Sequence, residues 1–207
     1  MKLFKASFIC LLTLIVITLA GKEVNGATRE LVKGEDYEQV SPKGTKKPEV
    51  LEFFNYACPA CYRLEGLVEK FKKNNPDVKI TPVPVELRPA WEIYVRAYYL
   101  GKLLKVLDKS HPAVFHRLHV EKKPITSDSE LKAFFVSLGV EPEKYDKANK
   151  SFALNASTRK AKQQARKFRI SGTPVFVANR QYKLNNQALG TAEMIEHALD
   201  KLTKANL

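Results

Sequence analysis

Few folds accommodate the stretch from Val50 to Phe71, where two cysteines stand at the junction of a strand-like run and a helix-like one. Val50 to Tyr56 is almost wholly apolar and reads as a strand. After Cys58-Pro59-Ala60-Cys61 the apolar residues fall at Leu64, Leu67, Val68 and Phe71, the i, i+3, i+4, i+7 spacing of an amphipathic helix. Proline suits the first helical position, where its missing N–H has no partner to lose. Cys58 is then the N-cap residue, and Cys61 lies in the first turn. The open N–H groups and the positive end of the helix dipole face Cys58, and both favour a thiolate. The thiolate is the reactive form of cysteine. Cys61 is shielded by the turn, so Cys58 reads as the attacking sulfur and Cys61 as the resolving one.

The other cysteine count points the same way. Of three cysteines in 207 residues, Cys10 lies in an apolar run, Ala6 to Ala20, that follows the basic start Met1-Lys2-Leu3-Phe4-Lys5. This is the pattern of a secretory signal over residues 1–20, with cleavage as late as residue 26; the run is short for a membrane anchor. The exported chain keeps only Cys58 and Cys61. A disulfide between them closes almost no loop and restricts the unfolded chain little. In an oxidising compartment such a pair is better read as a working pair than as a staple.

Charge is less informative. The formal net charge of +13, to which Lys2 and Lys5 contribute, admits nucleic acid or an anionic membrane as a partner. The cations are scattered without an aromatic-interleaved basic motif, so a solvated surface is the reading adopted, with no nucleic-acid partner. His111, His116, His119 and His197 lie far from the cysteines in sequence and read as helix surface or core. One C-x-x-C supplies too few soft ligands for a metal site, and no cofactor is expected.

Along the chain, a polar lead-in contains a short strand near Tyr37 to Val40. The strand, helix and next strand (Val78 to Thr81) form a βαβ unit. Pro82 and Pro84 remove ladder donors, which predicts weak pairing beyond Thr81. From Arg88 to Phe168 the pattern is helix after helix. An aromatic-rich helix from Trp91 stops at Gly101, with Trp91, Tyr94, Tyr98 and Tyr99 in the packing core. Ser127-Asp128-Ser129-Glu130 forms a capping box, and Ser151 to Phe168 is a long basic helix. Strand character returns at Val175 to Val177 and Tyr182 to Leu184 around a turn at Asn179-Arg180. A last helix starts at Thr191.

This order, together with Leu51-Glu52-Phe53-Phe54, Cys58-Pro59-Ala60-Cys61-Tyr62, Gly172-Thr173-Pro174 and Phe176 to Tyr182, resembles the DsbA family from roughly Tyr37 onward. The resemblance implies an α/β thioredoxin fold with an inserted all-helical domain. Its first part is residues 27–87, the helical insertion 88–168 and the second part 169–207. It also implies a periplasmic enzyme in which Cys58 accepts electrons from the thiols of reduced secreted or periplasmic proteins. Pro174 would be cis beside the cysteines, with Pro59 and Ala60 supporting the site. A quinone-linked membrane oxidase like DsbB would re-oxidise the pair. Two departures weaken thiolate stabilisation: Ala60 replaces the family's usual histidine, and Pro82 appears where a lysine near the buried acid is usual. Thr173 is also seen in relatives that isomerise disulfides.

Glu52 shares a face of its strand with Val50 and Phe54. A carboxyl buried there has a raised pKa and can pass a proton to or from Cys61; the competing reading pairs it with a lysine or leaves it at the strand edge. Thr173 and Pro174 can present backbone groups to a substrate chain by strand addition. The function expected is disulfide donation through a mixed disulfide at Cys58. The alternatives are a disulfide isomerase or reductase, for whose dimerisation domain the lead-in before Lys47 has no room, and a peptide-binding chaperone.

Overall fold

The computed structural model describes residues 28–205, so the signal segment, its cleavage sites and Cys10 lie outside the described residues. In chain order the elements are β1 (Tyr37–Gln39), β2 (Glu49–Phe54), α1 (Pro59–Asn74) and β3 (Lys79–Pro84). A 3-10 turn, Pro89–Trp91, leads into α2 (Glu92–Leu103), α3 (Leu107–His119), α4 (Asp128–Ser137), α5 (Pro142–Asn149) and α6 (Phe152–Lys167). The chain closes with β4 (Val175–Ala178), β5 (Tyr182–Leu184), α7 (Asn186–Leu189) and α8 (Ala192–Lys204). Among the described residues no helix is long and apolar enough to cross a membrane.

The five strands lie in the order β1-β5-β4-β2-β3, with β2 parallel to β3 and antiparallel to β4. Every residue of β2 is buried, because helices cover both faces. On one face Val50 packs with Leu67, Val68 and Phe71 of α1 and with Ile195, Ala198, Leu199 and Leu202 of α8. On the other, Leu51 and Phe53 meet Val83, Val177 and Ala161 of α6. Each such side chain contributes roughly 1.5–3 kcal/mol by leaving water, so the strand that leads into the cysteines is held firmly from both faces.

The prolines of β3 do not loosen it, contrary to expectation. Lys79 N–H donates to Pro48 O at 3.1 Å and Val85 N–H to Phe54 O at 2.8 Å. The period of two puts the odd-numbered N–H groups toward β2 and the even-numbered ones outward. β3 is the edge strand, so Pro82 and Pro84 delete donors that would have pointed away from β2, where no described strand lies, which also protects the edge from pairing with another chain. Pairing runs on to Phe54 with Pro84.

Gly101 is likewise not a helix stop. It lies buried inside α2, where α3 crosses so closely that a Cβ would collide with Ser110 Oγ. Gly101→Val is therefore expected to destabilise the protein by about 2 kcal/mol through overpacking, read as a lowered urea midpoint at unchanged m-value.

Other local expectations hold. Ser127 Oγ accepts from Glu130 N–H at 3.2 Å. The Glu130 carboxylate reaches back to Thr126 N–H at 2.7 Å, one residue earlier than in a reciprocal box. Asn179 and Arg180 have φ of 50° and 55°, the double left-handed turn that suits the twist of a tight hairpin.

Candidate active site

The junction between β2 and α1 is built by Asn55. Its Oδ1 accepts from Ala57 N–H at 2.9 Å, and its Nδ2 donates to Val85 O at 2.8 Å. Its carbonyl accepts from Cys58 N–H at 3.0 Å. This asparagine turn redirects the chain from strand to helix and ties it to the end of β3. Sequence reasoning did not single out Asn55; the signal available was an Asx-turn residue between a strand and a helix cap.

Cys58 is the N-cap of α1, with extended backbone, and Pro59 is the first helical residue. The Cys58 sulfur accepts from Cys61 N–H at 3.4 Å, and its thiol donates to Thr173 O at 3.3 Å. Neither cysteine is in a disulfide. Cys58 keeps 7% of its surface and Cys61 only 1%, so an incoming sulfur has access to the first and not the second. The Thr173–Pro174 peptide bond is cis, and Pro174 O is held by Asn186 Nδ2 at 3.0 Å. The loop borders an open groove of about 600 Å³, lined among others by Ala60, Arg63, Leu64, Thr173 and Pro174. Pro59 is exposed and Ala60 half-buried at its rim.

The two sulfurs titrate in opposite directions. Cys58 is lowered from 9.0 to about 5, first by the hydrogen bond with the Cys61 thiol. Burial opposes this, while Thr173 and the N–H groups of Cys61 and Ala60 add to it. Cys61 is pushed far above the usual thiol range by its bond to Cys58, by burial and by the Cys58 charge.

Glu52 lies behind the helix on β2, opposite Pro82 of β3 and Phe176 of β4. Its residue is only 3% exposed. Burial, then the charges of Glu65 and Glu69, raise it from 4.5 to about 8. It lines a cavity of about 550 Å³ with Glu65, Lys72, Tyr98 and His111. Among the described residues its carboxyl has no hydrogen bond or ion pair. Lys72, which lines the same cavity, pairs with Glu69 instead at 3.6 Å.

The histidines are where sequence distance misled. His116 is at the surface beside Glu121, but the fold carries two others of α3 to the loop before Cys58. His111 Nδ1 lies 2.7 Å from the Tyr56 hydroxyl. His119 Nε2 donates to Tyr56 O at 2.7 Å and its ring stacks on Tyr62 at 4.9 Å. Tyr94 and Tyr98 belong to the buried cluster around Cys58 and Cys61, as packing residues. Among the described residues no group of three His, Cys, Asp or Glu side chains is poised to hold a metal ion.

A family model described as the DSBA-like thioredoxin domain matches residues 49–200. The chain is similar to the thiol:disulfide interchange protein DsbA of Pseudomonas aeruginosa, 28% identical over 177 residues that cover 81% of this chain and 84% of that protein. The protein of the same description from Azotobacter vinelandii is 31% identical over 157 residues, 75% of this chain and 73% of the relative. A crystal structure of Pseudomonas aeruginosa DsbA matches with a TM-score of 0.78 at 28% identity, covering 84% of this chain and 94% of that one.

Proposed function

Because this chain belongs to the DSBA-like thioredoxin domain family, we propose that the disulfide it donates is Cys58–Cys61 and that substrates attack it at Cys58. The protein is a thiol:disulfide oxidoreductase with a thioredoxin fold and a helical insertion, and it passes disulfides to substrate proteins. The insertion is read as residues 88–168, between fold parts 27–87 and 169–207.

The observation that carries the assignment is the unequal pair of sulfurs at the helix mouth. A substrate thiolate attacks Cys58 of the oxidised pair, a substrate–Cys58 disulfide forms, and Cys61 departs as a thiolate. That sulfur holds a negative charge poorly and takes a proton; Glu52, neutral near pH 7, is the buried acid assigned to supply it. A second substrate thiolate then attacks the substrate sulfur and releases Cys58 as a stabilised thiolate. Two electrons have passed from substrate to the cysteine pair. Thr173 and Pro174, which border the open groove, are the backbone on which a substrate strand would lie. The pair is re-oxidised by a quinone-linked membrane oxidase of the DsbB kind, and the site of action is the periplasm.

A Cys58 thiol near 5 rather than about 8.5 stabilises the reduced form at pH 7 by ~3 kcal/mol, or about 60 mV in a two-electron couple. Equilibration of the protein with graded glutathione buffers tests this. The expected result is a potential well on the oxidising side of the glutathione couple. Its pH slope should halve, from about 59 to about 30 mV per unit, as pH rises through about 5, because the reduced form then keeps one proton fewer. A thioredoxin-like potential, or an unbroken slope, would move the assignment to a reductase.

A further inference from the structure

Behind the cysteines, side chains from three parts of the chain form one hydrogen-bonded line. The Tyr56 hydroxyl, on the loop before Cys58, lies 2.7 Å from His111 Nδ1. His111 Nε2, on α3, lies 3.1 Å from Glu65 Oε2 on α1. One placement of protons satisfies the whole line: Tyr56 O–H donates to Nδ1, and Nε2–H donates to the Glu65 carboxylate. The His111 ring is wedged against Phe54, Tyr56 and Phe115 at centroid distances of 5.5, 5.2 and 5.3 Å. Those rings hold its orientation from the side away from the cavity.

Glu65 has an alternative. Its side chain is 25% exposed on the surface of α1 and could extend into water. Held by His111, it faces the same cavity as Glu52. The other charges there are Glu69 and Lys72 of α1, which pair with each other, and Asp108 of α3. β3 contributes only Ile80 and Pro82 to the cavity, so no cation of that strand offsets the acids. Tyr56 and Tyr98 stay neutral because burial pushes both phenols up.

We propose that His111 is a positioning residue for dithiol exchange: by pinning the Glu65 carboxylate over the cavity behind the cysteines, it keeps the Glu52 carboxyl in its proton-carrying form. The consequence for exchange rests on the assignment of Glu52 as the acid serving Cys61; the coupling of the two glutamates does not. His111 touches neither sulfur nor substrate, so it acts through Glu65.

The test is a carbon-13 NMR titration of the Glu52 carboxyl in the reduced full chain. Wild type is compared with His111→Phe, His111→Gln, Glu65→Gln and the His111→Phe/Glu65→Gln pair. Phenylalanine keeps the ring packing and loses both hydrogen bonds; glutamine keeps a donor near the position of Nε2. His111→Phe and Glu65→Gln are each expected to lower the Glu52 midpoint by about one pH unit. The double variant should shift no further than either single one, and His111→Gln should titrate like wild type. Packing alone would leave the midpoint where it is. The proposal is overturned if Glu65→Gln moves Glu52 and His111→Phe does not, or if neither moves it. Additive shifts would overturn it too, as would an upward shift in His111→Phe, which would make the histidine a neighbouring cation. If the titrations come out as expected while Glu52→Gln exchanges disulfides at the wild-type rate, the coupling stands and the catalytic role of Glu52 falls.

Discussion

Cys58→Ser is expected to lose all disulfide donation, and Cys61→Ser to stall as a covalent complex with its substrate. The two sulfurs sit three residues apart but carry opposite tasks. Cys58 is the more accessible one, lowered to about 5, and is the better leaving group when the second substrate thiol attacks. Cys61 is sealed, so without it the mixed disulfide at Cys58 has no internal sulfur to resolve it. Incubation of each variant, in a mildly oxidising buffer, with a peptide carrying a single thiol, which has no second sulfur to release itself, followed by non-reducing electrophoresis, separates the cases. Cys61→Ser should give a slower-migrating adduct that reductant removes; Cys58→Ser should give none. In the reduced wild type at pH 6, iodoacetamide should modify Cys58 and spare Cys61. An adduct formed by Cys58→Ser through Cys61 would reverse the assignment. Full retention of activity by that variant would favour a peptide-binding chaperone.

Glu52→Gln is expected to stabilise the protein at neutral and alkaline pH while slowing its chemistry. The carboxyl is raised from 4.5 unfolded to about 8 folded. A raised acid gives the fold its full stability below the unfolded value and withdraws it as pH climbs through the folded one. Between 4.5 and 7 this amounts to ~3 kcal/mol. Urea titrations should thus show wild type and Glu52→Gln alike near pH 4, with the variant more stable by about that amount at pH 7. An equal difference at both pH values would mean that the carboxyl is not held neutral. The amide cannot exchange a proton with Cys61, and the reaction with a dithiol peptide is expected to slow by roughly 100-fold. A gain in stability with no loss of rate would leave Glu52 as a buried cost of the fold with no part in exchange.

Much of the site was legible because its signals are local. Proline after a cysteine, with apolar residues three and four apart behind it, specifies an N-cap whatever the rest of the chain does. Cys58 accordingly caps α1, and the capping serines and threonine at Ser127, Ser151 and Thr191 behave alike. Glu52 was placed on its face by the period of two alone, and its burial followed from the apolar run around it. Gly101 and the prolines of β3 were misread for a shared reason. A glycine reads as a stop and a proline as a break until a neighbour is seen, and here the neighbours are a crossing helix and an empty edge.

By itself, then, the order of residues determined where the reactive pair would stand, which sulfur would face outward and what kind of fold would carry it. The first two depend on contacts within one helical turn, while the kind of fold followed from the resemblance to a family along the whole chain. Tertiary structure alone decided that His111 and His119, 53 and 58 positions beyond Cys58 and Cys61, would grip Tyr56 and Glu65, and that Glu52 would pair with no cation among the described residues. Such meetings arise only when α3 packs across the end of β2, and no periodicity in the chain encodes which side chains that packing brings together.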